Sequence, residues 1–293
     1  DQIIHDVALQ NLPVVLCLDR GGIVGEDGAT HHGCYDMALY RTIPGAIIAA
    51  PKDEIELKNM MYSAMLSEDG PYIIRYPRGY GEGTGWQTSE FEEYAAGKGE
   101  KLKDGEDIAV IAAGPFANRA VEAAEIVKER TGRCPAIYNI RYIKPVDEDM
   151  LEEICGKFDE IITIEDGCIT GGLYGCVAEY TAQRDKGISI TPIAIPDSYL
   201  SQGTQEELRD ECGLTTRRIA ETIEGKMKRS VMMYIIAFLF HRVSIVLLPI
   251  LFIINRKYLN KKKTIILLLL SIPFIFLSRH LIVLAQSIVN YFN

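Results

Sequence analysis

Short apolar runs alternate with longer amphipathic ones along most of this chain. Ile3, Ile4, Val7, Ala8 and Leu9 recur at helical spacing. Pro13 to Leu18 is uncharged and branched at Val14 and Val15, which predicts a buried parallel strand. Tyr35–Arg41 predicts a helix and Ala46–Ala50 a short strand. After Pro51-Lys52 a helix is expected with Asp53 as its N-cap and Ile55, Met60, Met61, Ala64 and Met65 as its core face. Pro71–Tyr76 predicts another strand, and Tyr80–Asp107, rich in Gly, Glu, Ser and Lys, predicts a linker with one edge strand.

A second alternating unit follows. Strands are predicted over Ile108–Ala113, Ala136–Ile143, Glu160–Glu165 and Ile188–Ile195. Helices are predicted over Ala117–Arg130, Glu148–Phe158, from Gly171-Gly172 to Arg184, and over Gln205–Glu211 and Thr216–Glu224. This order predicts an α/β protein with two parallel-sheet domains. Gly171, Gly172 and Gly175 lack the dinucleotide fingerprint and fit tight helix–strand packing instead.

The formal net charge is −9 over 293 residues, but the charge is unevenly spread. Residues 1–225 hold 21 basic and 40 acidic side chains, whereas residues 226–293 hold 10 basic and none acidic. The acidic body argues against nucleic acid as a partner, because neutralising phosphates needs a basic face. The seven cysteines form no C-x-x-C pair, which predicts free thiols in a reducing compartment and a cytoplasmic body.

Candidate chemistry gathers between Leu18 and Gly33, where glycines at 21, 22, 25 and 28 are interspersed with Arg20, Asp27, Thr30, His31 and His32. Glycine lets backbone approach a ligand closely, and loops past the carboxyl ends of parallel strands are where α/β proteins bind ligands. A polar surface loop would read the same way. Arg78, at the end of the Pro71–Tyr76 strand, falls on the same sheet edge as Arg20. Two guanidinium groups there suit a phosphate monoester, or else two ordinary ion pairs.

Four motifs carry a family resemblance. D-R-G-G-I-V-G-E-D-G-A-T-H (Asp19–His31), I-R-Y-P-R-G (Ile74–Gly79), Q-G-T-Q-E-E-L-R (Gln202–Arg209) and D-Q-I-I-H-D-V-A (Asp1–Ala8) resemble the 1-deoxy-D-xylulose-5-phosphate synthase family of transketolase-like enzymes. The similarity runs from Asp1 to about Met227. It implies a truncated pyrimidine-side domain over 1–90, a linker over 91–106 and a transketolase C-terminal domain over 107–227. It also implies thiamine diphosphate and Mg2+ as cofactors, pyruvate and glyceraldehyde 3-phosphate as substrates, and a homodimeric full-length enzyme.

By the same resemblance, Arg20 and Arg78 clamp the aldehyde's phosphate, and Asp27 and His31 sit beside the reacting carbon. A histidine titrating near neutrality suits the proton transfer that the new alkoxide requires. His32 receives no role. The resemblance further implies an activating glutamate upstream of Asp1 and a Gly-Asp-Gly motif for the diphosphate and metal, neither of which is in the sequence. Asp36, Asp147 and Asp149 lack the context of such a motif and are expected on the surface. The chain therefore reads as a fragment, expected to be inactive alone.

Residues 228–293 form a hydrophobic tail with two predicted membrane helices, Val231–Ile254 and Thr264–Phe292, interrupted by Arg242 and Arg279. The basic loop between them, Arg256 to Lys263, would lie outside the cell, against the positive-inside tendency. The tail is thus expected to be a fused or spurious segment, with membrane contact only if it is genuine. Two alternatives stand beside the synthase fragment: the β-like half of a split transketolase, and a membrane-tethered, non-catalytic sugar-phosphate-binding module.

Overall fold

The computed structural model describes residues 1–184 and 187–228, and the first compact unit is Asp1–Met227. The hydrophobic hairpin expected over the tail falls on residues outside that range. Among the described residues, no helix is long and apolar enough to cross a membrane.

Two sheets organise the unit. The first contains β1 (Val15–Leu18), β2 (Ile47–Ala49), β3 (Tyr72–Arg75) and β7 (Tyr142–Lys144) in the order β1-β3-β2-β7. Its first three strands run parallel, and β7 is antiparallel to β2. The second contains β4 (Glu100–Lys103), β5 (Ala109–Ala112), β6 (Ala136–Asn139), β8 (Glu160–Cys168) and β9 (Ser189–Ile195) in the order β4-β6-β5-β8-β9, parallel except for β4. Six α-helices connect them: α1 (Asp36–Arg41), α2 (Glu54–Leu66), α3 (Phe116–Thr131), α4 (Glu148–Lys157), α5 (Leu173–Ala182) and α6 (Gln205–Glu211). A further helical stretch covers 216–228. The opening segment is a π-helix, Ile3–Ala8, that buries none of its residues.

Several expectations are corrected. The run before the Gly-rich loop is a parallel strand but not a buried one. It is the edge of its sheet, and Cys17 is exposed. Ala136–Ile143 is not one strand: the chain leaves the second sheet after Asn139, turns through Arg141 in the left-handed region (φ 54°), and enters the first sheet as β7. A segment late in the sequence thus completes a sheet begun early.

Helix α2 begins as predicted, with the Asp53 carboxylate accepting from the Glu56 N–H at 2.9 Å. Its buried face, however, is Glu56, Asn59, Met60, Ser63 and Ala64, whereas Met61 and Met65 are exposed. The polar members are buried because each has a partner. Glu56 meets Lys52 (2.9 Å), Arg141 (2.6 Å) and the Asn139 amide (2.9 Å). Burial alone would raise the pKa of the Glu56 carboxyl, but Lys52 and Arg141 hold it below its ordinary value. Ser63 accepts from the Tyr94 N–H at 2.7 Å, and Arg141 stacks over the Tyr94 ring. The segment before β4 is therefore pinned onto α2.

Asp36 and Asp147 are not surface residues. Asp36 pairs with buried Arg75, and Asp147 caps α4 through the Met150 N–H; Asp149 is exposed, as expected. Gly172 precedes α5 at a point where a Cβ would lie 2.0 Å from a Glu165 oxygen, in keeping with the tight packing expected there. All seven cysteines are free thiols.

Candidate functional site

The Gly-rich loop grows out of the β1–β3 edge. The Tyr76 N–H donates to Leu18 O and the Gly21 N–H to Tyr76 O, which extends the ladder past β1. Arg20, in between, takes φ 59°, a conformation uncommon for a side-chain-bearing residue. The loop is closed at its neck by reciprocal bonds between Gly22 and Gly33, at 2.8 and 2.9 Å. At Gly22 (φ 78°) a Cβ would sit 2.0 Å from the Asp166 carboxylate, so no side chain fits there.

The neck rests on a buried charge cluster. Arg75 is 2% exposed; its Nε donates to Asp36 (2.7 Å) and its Nη1 to Asp166 (2.6 Å). Burial would lower the pKa of this guanidinium, but the two aspartates keep it raised. Its third nitrogen, Nη2, has no hydrogen-bond partner and lies against Gly21. Next to Asp166, the Glu165 carboxylate accepts from the Leu173 and Tyr174 N–H groups, both at 2.8 Å. Burial outweighs those bonds and pushes this carboxyl up to about 7.

Residues Gly21–Gly25 and His32 are buried, whereas Arg20, Asp27, His31 and Arg78, the four predicted site residues, are all exposed. Arg78 Nη1 donates to Asp27 Oδ2 at 2.5 Å, joining the strand-end arginine to the loop. Arg20 pairs with neighbouring Asp19 at 3.2 Å. The structure thus brings Arg78 and Asp27 together and holds Arg20 at the loop's entry with a carboxylate of its own. His31 Nδ1 lies 3.2 Å from Asp27 O and 3.1 Å from Thr30 Oγ1. The carbonyl can only accept, whereas the Thr30 hydroxyl can donate to Nδ1 or accept from it, so the ring's tautomer depends on which of the two contacts is the hydrogen bond.

Two residues given no site role in the sequence reading hold this arrangement. The His32 ring is buried; its Nδ1 accepts from the Val24 N–H (3.1 Å) and its Nε2 faces Ser201 O (3.2 Å). Gln205 Nε2 donates to Ile23 O (3.1 Å) and Arg78 O (3.1 Å), with Val24 O at 3.4 Å. His32 looked like one more loop polar group, and no local pattern marks a ring whose partner is 169 residues away. Gln205 did fall within a quoted motif, and that was its only signal.

Comparison with known proteins identifies the family. The profile "Transketolase, pyrimidine binding domain" matches residues 1–82, and "Transketolase, C-terminal domain" matches residues 97–219. The chain belongs to the transketolase family. Within it, a 1-deoxy-D-xylulose-5-phosphate synthase of Bacteroides thetaiotaomicron is 50% identical over 214 residues, covering 73% of this chain and 33% of that protein. The synthase of Dictyoglomus thermophilum is 44% identical over 223 residues, covering 76% of this chain and 36% of that protein. The chain thus spans about a third of the length of the curated relatives it matches. Among solved structures, a split-gene transketolase described as an inactive β4 tetramer aligns with TM-score 0.65 at 23% identity, covering 78% of this chain and 70% of that one. A Pichia stipitis transketolase variant aligns with TM-score 0.59 at 20% identity, covering 75% of this chain and 31% of that one, which likewise supports the fold.

Proposed function

We propose that this chain is the pyrimidine-side and C-terminal portion of a thiamine-diphosphate-dependent synthase that joins pyruvate to glyceraldehyde 3-phosphate, releasing carbon dioxide and forming 1-deoxy-D-xylulose 5-phosphate. In this reading residues 1–90 and 107–227 are the two domains, and 91–106 links them. Arg20 and Arg78 bind the aldehyde's phosphate. Asp27 orients a substrate hydroxyl, and His31 moves the proton at Nε2. The observation that supports it best is the meeting of three motif segments: Arg78 reaches Asp27, and Gln205 reaches both Ile23 O and Arg78 O.

The donor set does not suit the cofactor's diphosphate and Mg2+. Among the described residues, no three His, Cys, Asp or Glu side chains gather as metal ligands. The aspartates around the loop are engaged by arginines: Asp36 and Asp166 by Arg75, Asp27 by Arg78 and Asp19 by Arg20. Those groups belong, in this reading, to a separate N-terminal domain, and the chain alone does not turn over.

Half an enzyme completed by a second chain is the other reading, favoured by the alignment to 70% of a split-gene transketolase subunit. One assay addresses both. The full chain is mixed with pyruvate, glyceraldehyde 3-phosphate, thiamine diphosphate and Mg2+, with and without the remaining N-terminal part of the Bacteroides thetaiotaomicron synthase. Product is expected only in the mixture. Product from the chain alone overturns the inactivity, and no product in either, together with no uptake of the aldehyde phosphate, overturns the reading.

A further inference from the structure

The C-terminal motif Gln202–Arg209 has no part in the chemistry proposed above, yet it touches both segments that carry the site. Its parts divide the labour. Thr204 and Glu207 form a reciprocal capping box at the start of α6, and Leu208 is buried in the apolar cluster that also holds Ile23 and Leu200. The helix start is therefore a fixed platform. Gln205, its first residue, projects an amide whose orientation is set by Arg209. The Arg209 Nη2 donor lies 3.2 Å from Oε1, and a guanidinium has no lone pair to offer. The Nε2 end must then face outward, where it meets three acceptors: the carbonyls of Ile23, Val24 and Arg78.

These three carbonyls belong to different strand ends. Ile23 and Val24 lie just past the neck of the loop that bears Asp27 and His31, and Arg78 follows β3. One amide from the second half of the chain thus fixes the backbone of the phosphate arginine relative to the loop. The Arg78 side chain is exposed and the following Gly79 and Tyr80 are exposed too. The remaining tie between Arg78 and the loop is an exposed ion pair to Asp27, worth about 0–1 kcal/mol in general.

We propose that Gln205 is a positioning residue: it holds Arg78 and the Ile23–Val24 segment in register, so that the phosphate ligand and the proton-carrying loop act on one substrate. This rests on the phosphate-binding reading above.

The test uses the full chain and its Gln205→Ala and Gln205→Glu variants. Alanine is tolerated at a first helical position, so the helix survives and only the clamp is lost. Glutamate keeps the shape but turns an acceptor toward three acceptors. Two readouts are taken: hydrogen exchange at the Gly28 and His31 amides, which close turns within the loop, and affinity for inorganic phosphate and for glyceraldehyde 3-phosphate. Exchange at these amides is expected to rise about tenfold, and both affinities to fall about tenfold, as the loss of one to two net hydrogen bonds allows. Exchange in β5 and β8 is expected to stay as in the parent chain.

Unchanged loop exchange and affinity in both variants would overturn the proposal. So would an equal rise in the core sheets, which would make Gln205 a general fold contact. If the parent chain takes up neither phosphate, the functional reading fails, while loop exchange still decides whether Gln205 holds the loop.

Discussion

Replacing Arg75 with methionine tests the physical core of this site. The substitution keeps a long apolar stem but removes the guanidinium between Asp36 and Asp166. Their carboxylates are 11% and 6% exposed, so water cannot replace what is lost. Breaking a buried pair by removing one partner costs about 3–5 kcal/mol, because it strands uncompensated charge. Two carboxylates are stranded here, which sets the expectation at the upper end. Urea unfolding followed by circular dichroism should show a fall of about 5 kcal/mol, a large share of the roughly 5–15 kcal/mol that domains have. Adding Asp166→Asn in the Arg75→Met background should return at least about 1 kcal/mol, since it removes one stranded charge; in the parent chain the same change should only destabilise. A loss below about 1 kcal/mol for Arg75→Met would refute the argument, because it would mean the aspartates reach solvent. No recovery in the double variant would refute the assignment of the cost to Asp166.

Three further outcomes follow from the same contacts. The Glu165 carboxyl is raised from 4.5 to about 7, so its contribution to stability is fully present below 4.5 and is lost as pH rises toward 7, by about 3 kcal/mol; the difference in urea stability between the parent and Glu165→Gln, measured from pH 4.5 to 8, should trace that slope, and a flat difference would contradict it. Gly22→Ala must fit a Cβ 2.0 Å from Asp166 at positive φ, which should cost at least about 2 kcal/mol in the same unfolding assay. Asp27→Asn removes the carboxylate that competes for Arg78, so phosphate titration should show binding up to about fivefold tighter; weaker binding would mean that Arg78 is not the phosphate ligand.

Local patterns in the sequence were enough for most elements, because a strand run, a glycine turn or an N-cap acts within a few residues. Asp53 is the simplest case, since its partner is Glu56, three residues on. What the sequence hid depends on distant partners. Val15 to Leu18 reads as buried because it is apolar, but strand order, not composition, put it at the edge of the sheet. Met61 and Met65 read as core, yet Glu56 and Asn59 took the inner face of α2 because Arg141, Asn139, Tyr94 and Glu92 came to meet them. Asp36 could not be told from a surface carboxylate until Arg75 was placed beside it. Among the site residues, Arg78 was expected on the sheet edge that carries Arg20, yet the two pair with separate carboxylates, Asp27 and Asp19, and the ring contacts of His32 depend on Ser201.

These long-range ties share a direction. Strand β7, from beyond the first 90 residues, closes the sheet that bears the loop. Asp166 at the end of β8 meets Arg75 at the end of β3, and Ser201 and Gln205 meet the loop itself. Each tie would be lost if the first 90 residues stood alone, and none of them requires a residue outside Asp1–Met227. The geometry of Arg20, Asp27, His31 and Arg78 is therefore a property of the two halves together. The contacts that shape the loop thus lie within a stretch about a third as long as the relatives it matches. The contacts that shape the loop come from its C-terminal side: Asp166 through Arg75, and Ser201 and Gln205 directly.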